Sequence, residues 1–460
     1  MAILPDKHPD RMQIEKDFSV QSAGKSDRYT HHGNYRNKHQ NIITLELKSM
    51  KKLIDGWMGI SLVKRILVGL VLGVVLGLLF PQATGIAVLG DAFVGALKAI
   101  APLLVFLLCI SSLCHSGKSH GGVIKTVIIL YIVSTLLAAA VAVVSSTAFP
   151  VTLTLSADAA SEVTAPGGVS EILKNLILNI VANPIESIVK ANYIGVLAWA
   201  IIIGLALRRA GDTTKKVLDD LAKGLSKVVG WIVSLAPFGI LGLVYNTVST
   251  NGLSIFAEYG QLLAVLVGTM AFVYFVLNPI MVFWCIRQNP YPLIWKCLKR
   301  SAVTAFFTRS SAANIPVNME VCEEMGLDKD TYSVTIPLGA TINMDGAAVT
   351  ITVMTLAAAH TLGIEVNILN AIVLSVLSAI SACGASGVSG GSLLLIPMAC
   401  SLFGIPNDVA MQVVGVGFII GVVQDSVETA LNSSSDLILS ASAEFRQWRK
   451  EGREIHFDVK

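Results

Sequence analysis

The sequence has little charge. Only 14% of its 460 residues are Asp, Glu, Lys or Arg, whereas soluble globular domains contain roughly 25% charged residues. This deficit excludes an ordinary soluble enzyme. The 53% of hydrophobic residues excludes a disordered chain, because disorder requires low hydrophobicity. The formal net charge of +3 is too small to indicate a nucleic-acid-binding protein. The class that remains is a polytopic membrane protein.

Paired cysteines and clusters of metal ligands are also missing. The seven cysteines are scattered, with no C-x-x-C pair and no cluster of cysteine and histidine. This pattern argues against a disulfide framework and against a structural zinc site. We interpret the cysteines as small apolar packing residues.

Long apolar runs fill the first two thirds of the chain. A helix needs about 20 apolar residues to cross the hydrocarbon core of a bilayer. Six runs meet this requirement and predict six spans: residues 62–80, 89–113, 123–149, 193–207 with the apolar stretch before it, 225–248 and 262–286. Beyond residue 290 the apolar segments are shorter and are interrupted by Pro, Gly, Ser and Asn.

Basic residues alternate along the chain. Lys and Arg precede the first predicted span, separate the second from the third, follow the fourth and sixth, and end the chain, whereas residues 150–170 and 250–260 contain none. Cytoplasmic loops are rich in Lys and Arg, so we expect both termini in the cytoplasm and those two loops outside. Residues 1–49 are polar and lack the apolar core of a signal peptide. We therefore predict that residues 1–49 form a disordered extension. We also predict that residues 446–460 form a cytoplasmic tail.

The last third of the chain lacks cations. No Lys or Arg lies between Lys329 and Arg446, yet four acids occur there in apolar surroundings: Asp345, Asp425, Glu428 and Asp436. An ionised carboxylate in a low-dielectric environment is costly unless it is paired or coordinated. The acids must be protonated, face water, or bind a cation from solution. The third arrangement predicts a cation-binding device, in which Arg309 compensates at most one acid.

Polar residues near the end of the chain share one helical face. At 100° per residue, a helix over residues 408–445 places five of them on one stripe: Asp425, Glu428, Thr429, Asn432 and Asp436. Helix contacts in membranes favour small or hydroxyl residues rather than several acids. The stripe therefore indicates a binding surface, and a polar stripe that only faces a neighbouring helix is the alternative.

A broken helix is predicted within residues 332–360. Asn343 and Asp345 lie two residues apart, between Gly339 and Gly346. Carbonyl oxygens freed at a break, together with an Asn–Asp pair, provide ligands for a hard cation such as sodium. A kinked ordinary span with one stray acid is the alternative.

Two further segments are too short on each side of their centres to span a membrane. Residues 293–324 are centred on a Ser-rich tip and residues 367–403 on a Gly- and Ser-rich tip. Each predicts a re-entrant hairpin whose tip lies inside the protein. Their opposite entry sides suggest an inverted repeat with binding at the midplane. Backbone N–H groups at such tips suit a substrate carboxylate, and two flexible loops are the alternative.

These motifs resemble the dicarboxylate/amino acid:cation symporter family. The resemblance rests on T-R-S-S at residues 308–311, G-A-T-I-N-M-D-G at 339–346 and D-S-V-E-T-A-L-N-S-S-S-D at 425–436, and it covers residues 50–445. It implies an all-α polytopic membrane protein with the glutamate-transporter-like fold, which has eight transmembrane helices and two re-entrant helical hairpins. It also implies a homotrimer in the bacterial cytoplasmic (inner) membrane and co-transport of Na⁺ without an organic cofactor.

The resemblance also implies a division of the chain. Residues 50–286 would hold spans 1–6, of which spans 3 and 6 join the core and the others form the scaffold and trimer frame. Residues 290–445 would form the transport core, which moves against the frame as an elevator. The parts of the core are hairpin 1 (293–324), broken span 7 (332–360), hairpin 2 (367–403) and span 8 (408–445).

Individual roles are implied by position. Asp425 would hold the substrate ammonium group and Asn432 its carboxylate. The full set of expected substrate contacts is Ser310, Ser311, Ala347, Asp425, Glu428, Thr429 and Asn432, with a gate in the tip of hairpin 2 at Gly384, Ser386, Gly387 and Ser389. One sodium site would use Asp436, Gly339, Asn343 and Asn432. A second would use Thr341 with carbonyl groups of hairpin 2, and a third Asn343 and Asp345 with Tyr131, Ser134 and Thr135.

Two positions depart from the acidic-substrate members of this family. Those members have Arg at the position of Glu428 and Thr at the position of Ala347. A fixed negative charge disfavours a dicarboxylate there, whereas Glu428 can accept a hydrogen bond from a small hydroxyl group. The pattern is most similar to the sodium/serine-threonine branch of the family. We therefore predict a sodium-coupled importer of serine and threonine that carries alanine more weakly. We also expect Arg309 to pair with Asp425 or Glu428 when substrate is absent.

Other functions explain less of the sequence. A sodium- or proton-coupled dicarboxylate or acidic amino acid symporter is the alternative within the family, and a cation channel is a second. G-A-S-G at residues 384–387 matches an intramembrane serine protease, but His360 is the single histidine between residues 121 and 455, and that chemistry needs a nearby base. An aspartyl protease would need a G-x-G-D motif, which is missing. We therefore predict a transporter, not an enzyme, whose partners are an amino acid and membrane lipid rather than nucleic acid.

Overall fold

The computed structural model of the chain describes residues 59–115, 122–155, 177–385 and 390–457. The chain divides into two units, Met1–Leu62 and Val63–Lys460, and apart from Leu62 every element below lies in the second. The predicted disordered extension over residues 1–49 lies outside the described residues, as do Ser386, Gly387 and Ser389 of the predicted gate.

The described residues are almost entirely helical, and they contain no strand. We call residues 59–286 the amino-terminal half. Its α-helices are α1 (Leu62–Leu79), α2 (Ala87–His115), α3 (Gly122–Ala148), α4 (Pro184–Val189), α5 (Tyr193–Ala206), α6 (Asp212–Ser234), α7 (Ala236–Asn251), α8 (Ile255–Phe272) and α9 (Asn278–Ile286). A π-helical turn, Val273–Leu277, joins α8 to α9. This turn lies just before Pro279, which cannot donate a backbone hydrogen bond.

The carboxy-terminal half comprises residues 291–457. Its α-helices are α10 (Tyr291–Cys297), α11 (Val303–Thr308), α12 (Ser311–Glu324), α13 (Lys329–Ile342), α14 (Asp345–Thr361), α15 (Ile368–Ala382), α16 (Ile396–Ser401) and α17 (Asn407–Lys450). A π-helical turn, Leu298–Ala302, joins α10 to α11, and a 3-10 helix, Gly391–Leu395, leads into α16. The predicted break in residues 332–360 lies at Asn343 and Met344, between α13 and α14.

The first three predicted spans match α1, α2 and α3 within two residues at each end. Two later predictions are wrong in their bounds. The run over residues 225–248 is divided between α6 and α7, because Pro237 in the first turn of α7 has no N–H for a continuous helix. The expected outer loop over residues 250–260 is mostly helical, since α7 extends to Asn251 and α8 begins at Ile255.

Span 4 is also shorter than expected. Helix α5 has 14 residues, and the separate helix α4 precedes it. Six described segments are long and apolar enough to cross a bilayer: Leu62–Leu79, Thr84–Ser111, Gly122–Ala148, Ala236–Ile286, Lys329–Thr361 and Asn407–Lys450. The protein is therefore an all-helical chain with several potential membrane spans.

Helices α14 and α17 lie at the centre of the carboxy-terminal half. They contact each other, and both contact α3 and α8 of the amino-terminal half. Helices α12 and α13 pack on α17, and α15 packs on α14 and α3. Every residue from Asp345 to Ala359 of α14 is buried. The helices that carry the predicted binding residues are thus enclosed by other helices.

Helix α1 packs on α7 through a stripe of glycines. Gly69, Gly73 and Gly77 are spaced four residues apart, which places them on one face. A methyl group on Gly73 would lie 2.7 Å from the carbonyl oxygen of Leu241, and one on Gly69 would overlap the carbonyl of Pro237. Small residues let membrane helices approach this closely. The glycines therefore fix the contact between these two helices.

An ion pair joins the two halves. Lys98 of α2 donates to the carboxylate of Asp408 in the first turn of α17, and their side chains are 41% and 81% exposed. Helix N-termini favour negative charge, so Asp408 is stabilised both by its helix and by the lysine.

Candidate substrate and cation site

Asp425 and Arg309 form a buried ion pair. Nε and Nη2 of Arg309 each lie 2.6 Å from Oδ2 of Asp425, and the two side chains are 11% and 6% exposed. The N–H of Gly390 donates to Oδ1 of the same carboxylate at 3.2 Å. Arg309 ends α11 in the left-handed conformation, with φ of 51°. The expected pairing of Arg309 with Asp425 is therefore present, and an ammonium group that binds Asp425 must compete with the guanidinium.

Open space adjoins this pair. A small cavity is lined by Arg309, Asp425 and Gly390 on one side and by Ile66 and Ile240 of the amino-terminal half on the other. The predicted ammonium ligand is thus close to helices of both halves.

Glu428 lies one helical turn beyond Asp425 and is buried. Its Oε2 accepts hydrogen bonds from Thr350 Oγ1 at 2.7 Å, Ser392 Oγ at 2.8 Å and Gln424 Nε2 at 2.5 Å. All three donors are neutral. The sequence reasoning missed them, although Gln424 precedes Glu428 by four residues and so lies on the same helical face.

Gly346 brings α14 against α17 at the predicted binding stripe. A methyl group on Gly346 would lie 2.8 Å from the carbonyl oxygen of Glu428. The N–H of Gly346 donates to Oδ1 of Asn432 at 2.7 Å. Ala347 follows in α14 and is buried, as is Thr429 on α17. The close approach therefore sets the position of Asn432 relative to the start of α14.

Asp436 meets the break between α13 and α14. Asn343 Nδ2 donates to Asp436 Oδ1 at 2.9 Å, whereas Asn343 Oδ1 is buried and accepts no hydrogen bond from the described residues. Gly339 lies beside the same carboxylate, because a methyl group there would lie 2.7 Å from Asp436 Oδ1. A buried carboxylate beside an unpaired amide oxygen is a donor set that fits a hard cation.

Asp345 is held by hydroxyl groups of α3. Ser134 Oγ donates to Oδ2 at 2.7 Å and Thr135 Oγ1 donates to Oδ1 at 3.1 Å, with all three residues buried. Tyr131 does not join them. Its hydroxyl lies 3.0 Å from the backbone carbonyl oxygen of Asp436 and 3.2 Å from that of Thr335. The residues of the predicted third sodium site are thus divided: Ser134 and Thr135 contact the side chain of Asp345, whereas Tyr131 contacts the backbone at Asp436.

Four other predicted residues lie apart from these contacts. Thr341 donates to the carbonyl of Leu338 in its own helix at 2.7 Å. Ser310 caps α12 by accepting the N–H of Ala313 at 3.2 Å, and Ser311 follows as a buried residue of that helix. Gly384 lies against Cys109 of α2, since a methyl group there would lie 2.8 Å from its Sγ.

A model of a known protein family matches most of the sequence. It is the sodium:dicarboxylate symporter family, and the match extends over residues 62–444. The chain belongs to this family. The matched range covers most of both halves and includes every described residue of the candidate site.

Curated relatives of the chain are serine/threonine transporters. Proteins named serine/threonine transporter SstT from three strains of Streptococcus thermophilus are 58%, 58% and 57% identical to it, each over 401 residues that make up 87% of this chain and 100% of the relative. Membership of a symporter family whose relatives are transporters identifies the protein as a membrane transporter and not an enzyme. The sequence prediction of a transporter is confirmed, and both protease alternatives are set aside.

Proposed function

We propose that the protein is a sodium-coupled symporter that imports serine and threonine. The observation that carries the proposal is the buried Glu428, whose Oε2 accepts hydrogen bonds from two hydroxyl groups and one amide and, among the described residues, from no cationic side chain. A dicarboxylate would bring a second negative charge to this region, which a fixed carboxylate repels. A small hydroxyl group is a suitable donor to the same carboxylate. The relatives' name, serine/threonine transporter, supports this assignment.

The amino acid backbone would bind between Asp425 and Asn432. Its ammonium group takes the place of Arg309 at Asp425, and its carboxylate meets the side-chain amide of Asn432 with backbone N–H groups near Ser311. Ser310, Ala347 and Thr429 shape the rest of the site. The gate would be the tip of hairpin 2, with Gly384, Ser386, Gly387 and Ser389.

Sodium would bind at the buried acids as a co-transported substrate. Asp436 and the unpaired Oδ1 of Asn343, with carbonyls of Gly339 and Asn432, suit one ion. Asp345 with Ser134 and Thr135 suits another, for which the hydroxyl groups already lie at hydrogen-bonding distance. Thr341 with carbonyls of hairpin 2 would hold a further ion. Because these acids have no basic neighbour in their own segment, the ion neutralises them and promotes substrate binding.

The family and the distribution of basic residues support a membrane arrangement. Eight transmembrane helices and two re-entrant hairpins would form a frame within residues 50–286 and a core at 290–445, assembled as a homotrimer. Both termini would face the cytoplasm of a bacterium, in its inner membrane. The core moves against the frame as an elevator. Inward transport would draw on the sodium gradient and on the membrane potential, which contributes about 2.3 kcal/mol per charge per 100 mV.

The test is uptake of radiolabelled serine by proteoliposomes that contain the purified protein. We expect saturable uptake that requires an inward sodium gradient, is lost in potassium, and is inhibited by threonine strongly and by aspartate weakly. Uptake of aspartate in preference to serine would overturn the proposal in favour of the dicarboxylate alternative. Flux that is neither saturable nor sodium-dependent would favour the channel.

A charge reversal at one position sharpens the test. Glu428→Arg supplies the cation that acidic substrates require. We expect it to abolish serine uptake and to raise the sodium-dependent uptake of radiolabelled aspartate. Glu320→Arg, a change of the same kind at an exposed acid of α12, is the matched control and should retain serine uptake. Serine uptake that survives Glu428→Arg unchanged would contradict the assigned role.

A further inference from the structure

We propose that Thr350, Gln424 and Ser392 are positioning residues for Glu428, and that they set the preference for hydroxyl amino acids over alanine. The inference rests on the proposed function, and it assigns the discrimination within that substrate class to three residues outside the predicted site. None of the three acts on the substrate directly. They act by fixing which oxygen of Glu428 the substrate meets.

The three donors converge on a single oxygen. Thr350 Oγ1, Ser392 Oγ and Gln424 Nε2 all bind Oε2 of Glu428, at 2.7, 2.8 and 2.5 Å. Its other oxygen, Oε1, accepts no hydrogen bond from the part of the chain that the structure describes. An ionised carboxylate only accepts hydrogen bonds and has about four acceptor positions on its two oxygens. Oε1 therefore retains its capacity for a donor from the substrate.

The hydrogen bonds within this group have a defined direction. Gln424 Nε2 also donates to Thr350 Oγ1, at 2.8 Å. The Thr350 oxygen accepts that bond, so its own proton is directed to Glu428. Gln424, Thr350 and Glu428 thus form a closed ring of donors and acceptors. A buried ring of this kind holds its members rigidly, because rotation of one group leaves the others unpaired.

The donors come from three separate elements. Thr350 is on α14, Gln424 is on α17, and Ser392 is in the 3-10 helix Gly391–Leu395. All three side chains are buried. Rotation of the carboxylate would break contacts with every one of these elements. The carboxylate is therefore fixed from three directions, and Oε1 is left to accept a hydrogen bond from the substrate.

A fixed acceptor distinguishes substrates by whether they carry a donor. The hydroxyl groups of serine and threonine can donate to Oε1, whereas alanine leaves Oε1 unpaired. A site built around a hydrogen bond rejects an analogue that lacks the group, because its own polar atom then stays buried without a partner. If the carboxylate can rotate, it finds other partners in the site, and the penalty for alanine disappears.

Thr350→Val tests this directly, because it removes the hydroxyl group at nearly constant volume. Thr352→Val is the matched control: Thr352 is a buried residue of the same helix whose hydroxyl has no hydrogen-bond partner among the described residues. Sodium-driven uptake of serine and alanine would be measured for both variants and for Thr350→Ser. The ratio of kcat/KM for serine to that for alanine is the readout.

We expect Thr350→Val to lower the serine-to-alanine ratio at least about tenfold while alanine uptake keeps its sodium dependence. Thr350→Ser should restore the ratio, and Thr352→Val should leave it unchanged. Gln424→Leu removes a second donor and should lower the ratio in the same direction.

Equal losses for serine and alanine in Thr350→Val would show a merely structural role and overturn the inference. An unchanged ratio in both Thr350→Val and Gln424→Leu would also overturn it. These outcomes differ from failure of the proposed function, in which the unaltered protein itself shows no sodium-dependent serine uptake.

Discussion

The two halves differ in what their helices contact. The four candidate spans of the amino-terminal half are between 28% and 44% buried, whereas Lys329–Thr361 and Asn407–Lys450 of the carboxy-terminal half are 94% and 83% buried. Large apolar side chains such as Leu79 and Val144 are 66% and 68% exposed in the first half. The second half instead encloses its acids and amides. In a bilayer, apolar helices can face lipid, but polar groups must find partners inside the protein.

Hydrophobicity and burial are therefore separate properties in this protein. Among the six candidate spans, the four most apolar are the least buried, and the two least apolar are the most buried. Burial of polar residues is the property that indicates function, because a polar residue in the interior of a membrane protein is costly and is usually kept for a functional reason. Of the four predictions that follow, the first three test this contrast by making the same change in each half, and the fourth tests the ion pair between the halves.

The largest effect is expected for loss of a buried acid. Asp436→Asn removes the charge that sodium would neutralise, and we expect sodium-dependent serine uptake to fall at least about 100-fold, or about 3 kcal/mol. Asp91→Asn, at an exposed acid of α2, should stay within about twofold of the unaltered protein. Sodium titration of uptake is the measurement. An unchanged sodium affinity in Asp436→Asn would count against a cation site there.

Truncation of an apolar side chain should give the second-largest difference between the two halves. Ile351 of α14 is fully buried, so Ile351→Ala creates a cavity and should lower the stability by about 2–5 kcal/mol. Ile129 on α3 is 50% exposed, so Ile129→Ala leaves a space that lipid can fill and should change stability by less than about 1 kcal/mol. Unfolding in a mild detergent measures both. Equal losses would contradict the assignment of α3's exposed face to lipid.

A glycine substitution gives a somewhat smaller contrast. Gly346→Ala forces α14 away from the backbone of Glu428 and should cost about 1–3 kcal/mol, with a matching loss of serine uptake. Gly95→Ala in α2 meets no atom within 4 Å, and a helical alanine there should be neutral or slightly stabilising. Thermal unfolding together with uptake kinetics distinguishes them. If Gly346→Ala retained full stability and activity, the close packing at this site would be dispensable.

The ion pair between the halves should contribute least. Lys98 and Asp408 are both substantially exposed, so a double-mutant cycle with Lys98→Met and Asp408→Asn should give a coupling energy of at most about 1 kcal/mol. The cycle is measured by thermal unfolding at low and high salt. A coupling well above this value, unaffected by salt, would mean that the pair is more enclosed than its exposure indicates.

The membrane class, the first three spans and the break at Asn343 could be predicted from the sequence. Hydropathy indicates whether a segment lies in lipid or in water, and Asn, Pro and Gly indicate where a helix is interrupted. The division of residues 225–248 at Leu235 was missed, since the apolar run continues through Pro237. Hydropathy does not register the loss of one backbone donor, so the bounds of α6 and α7 depended on the structure.

The candidate site was predicted in part, for a similar reason. The polar stripe of α17 could be identified from its periodicity, because all of its residues lie on one helix. The partners of that stripe come from other elements, and sequence spacing carries no information about them. Tyr131 illustrates the limit. It lies one turn from Ser134 on α3, yet it contacts the backbone at Asp436 while Ser134 contacts Asp345.

The glycine stripe of α1 has a consequence for the bilayer around the protein. With 18 residues, α1 is about 27 Å long at 1.5 Å per residue, slightly less than the roughly 30 Å of a typical hydrocarbon core. A helix that is short by this amount is usually accommodated by thinning of the adjacent lipid. Gly69, Gly73 and Gly77 hold α1 against the backbone of α7, so α1 has little freedom to adjust its tilt alone. In a bilayer of longer-chain lipids, α1 and α7 would then have to adjust together to the difference between helix length and hydrocarbon thickness.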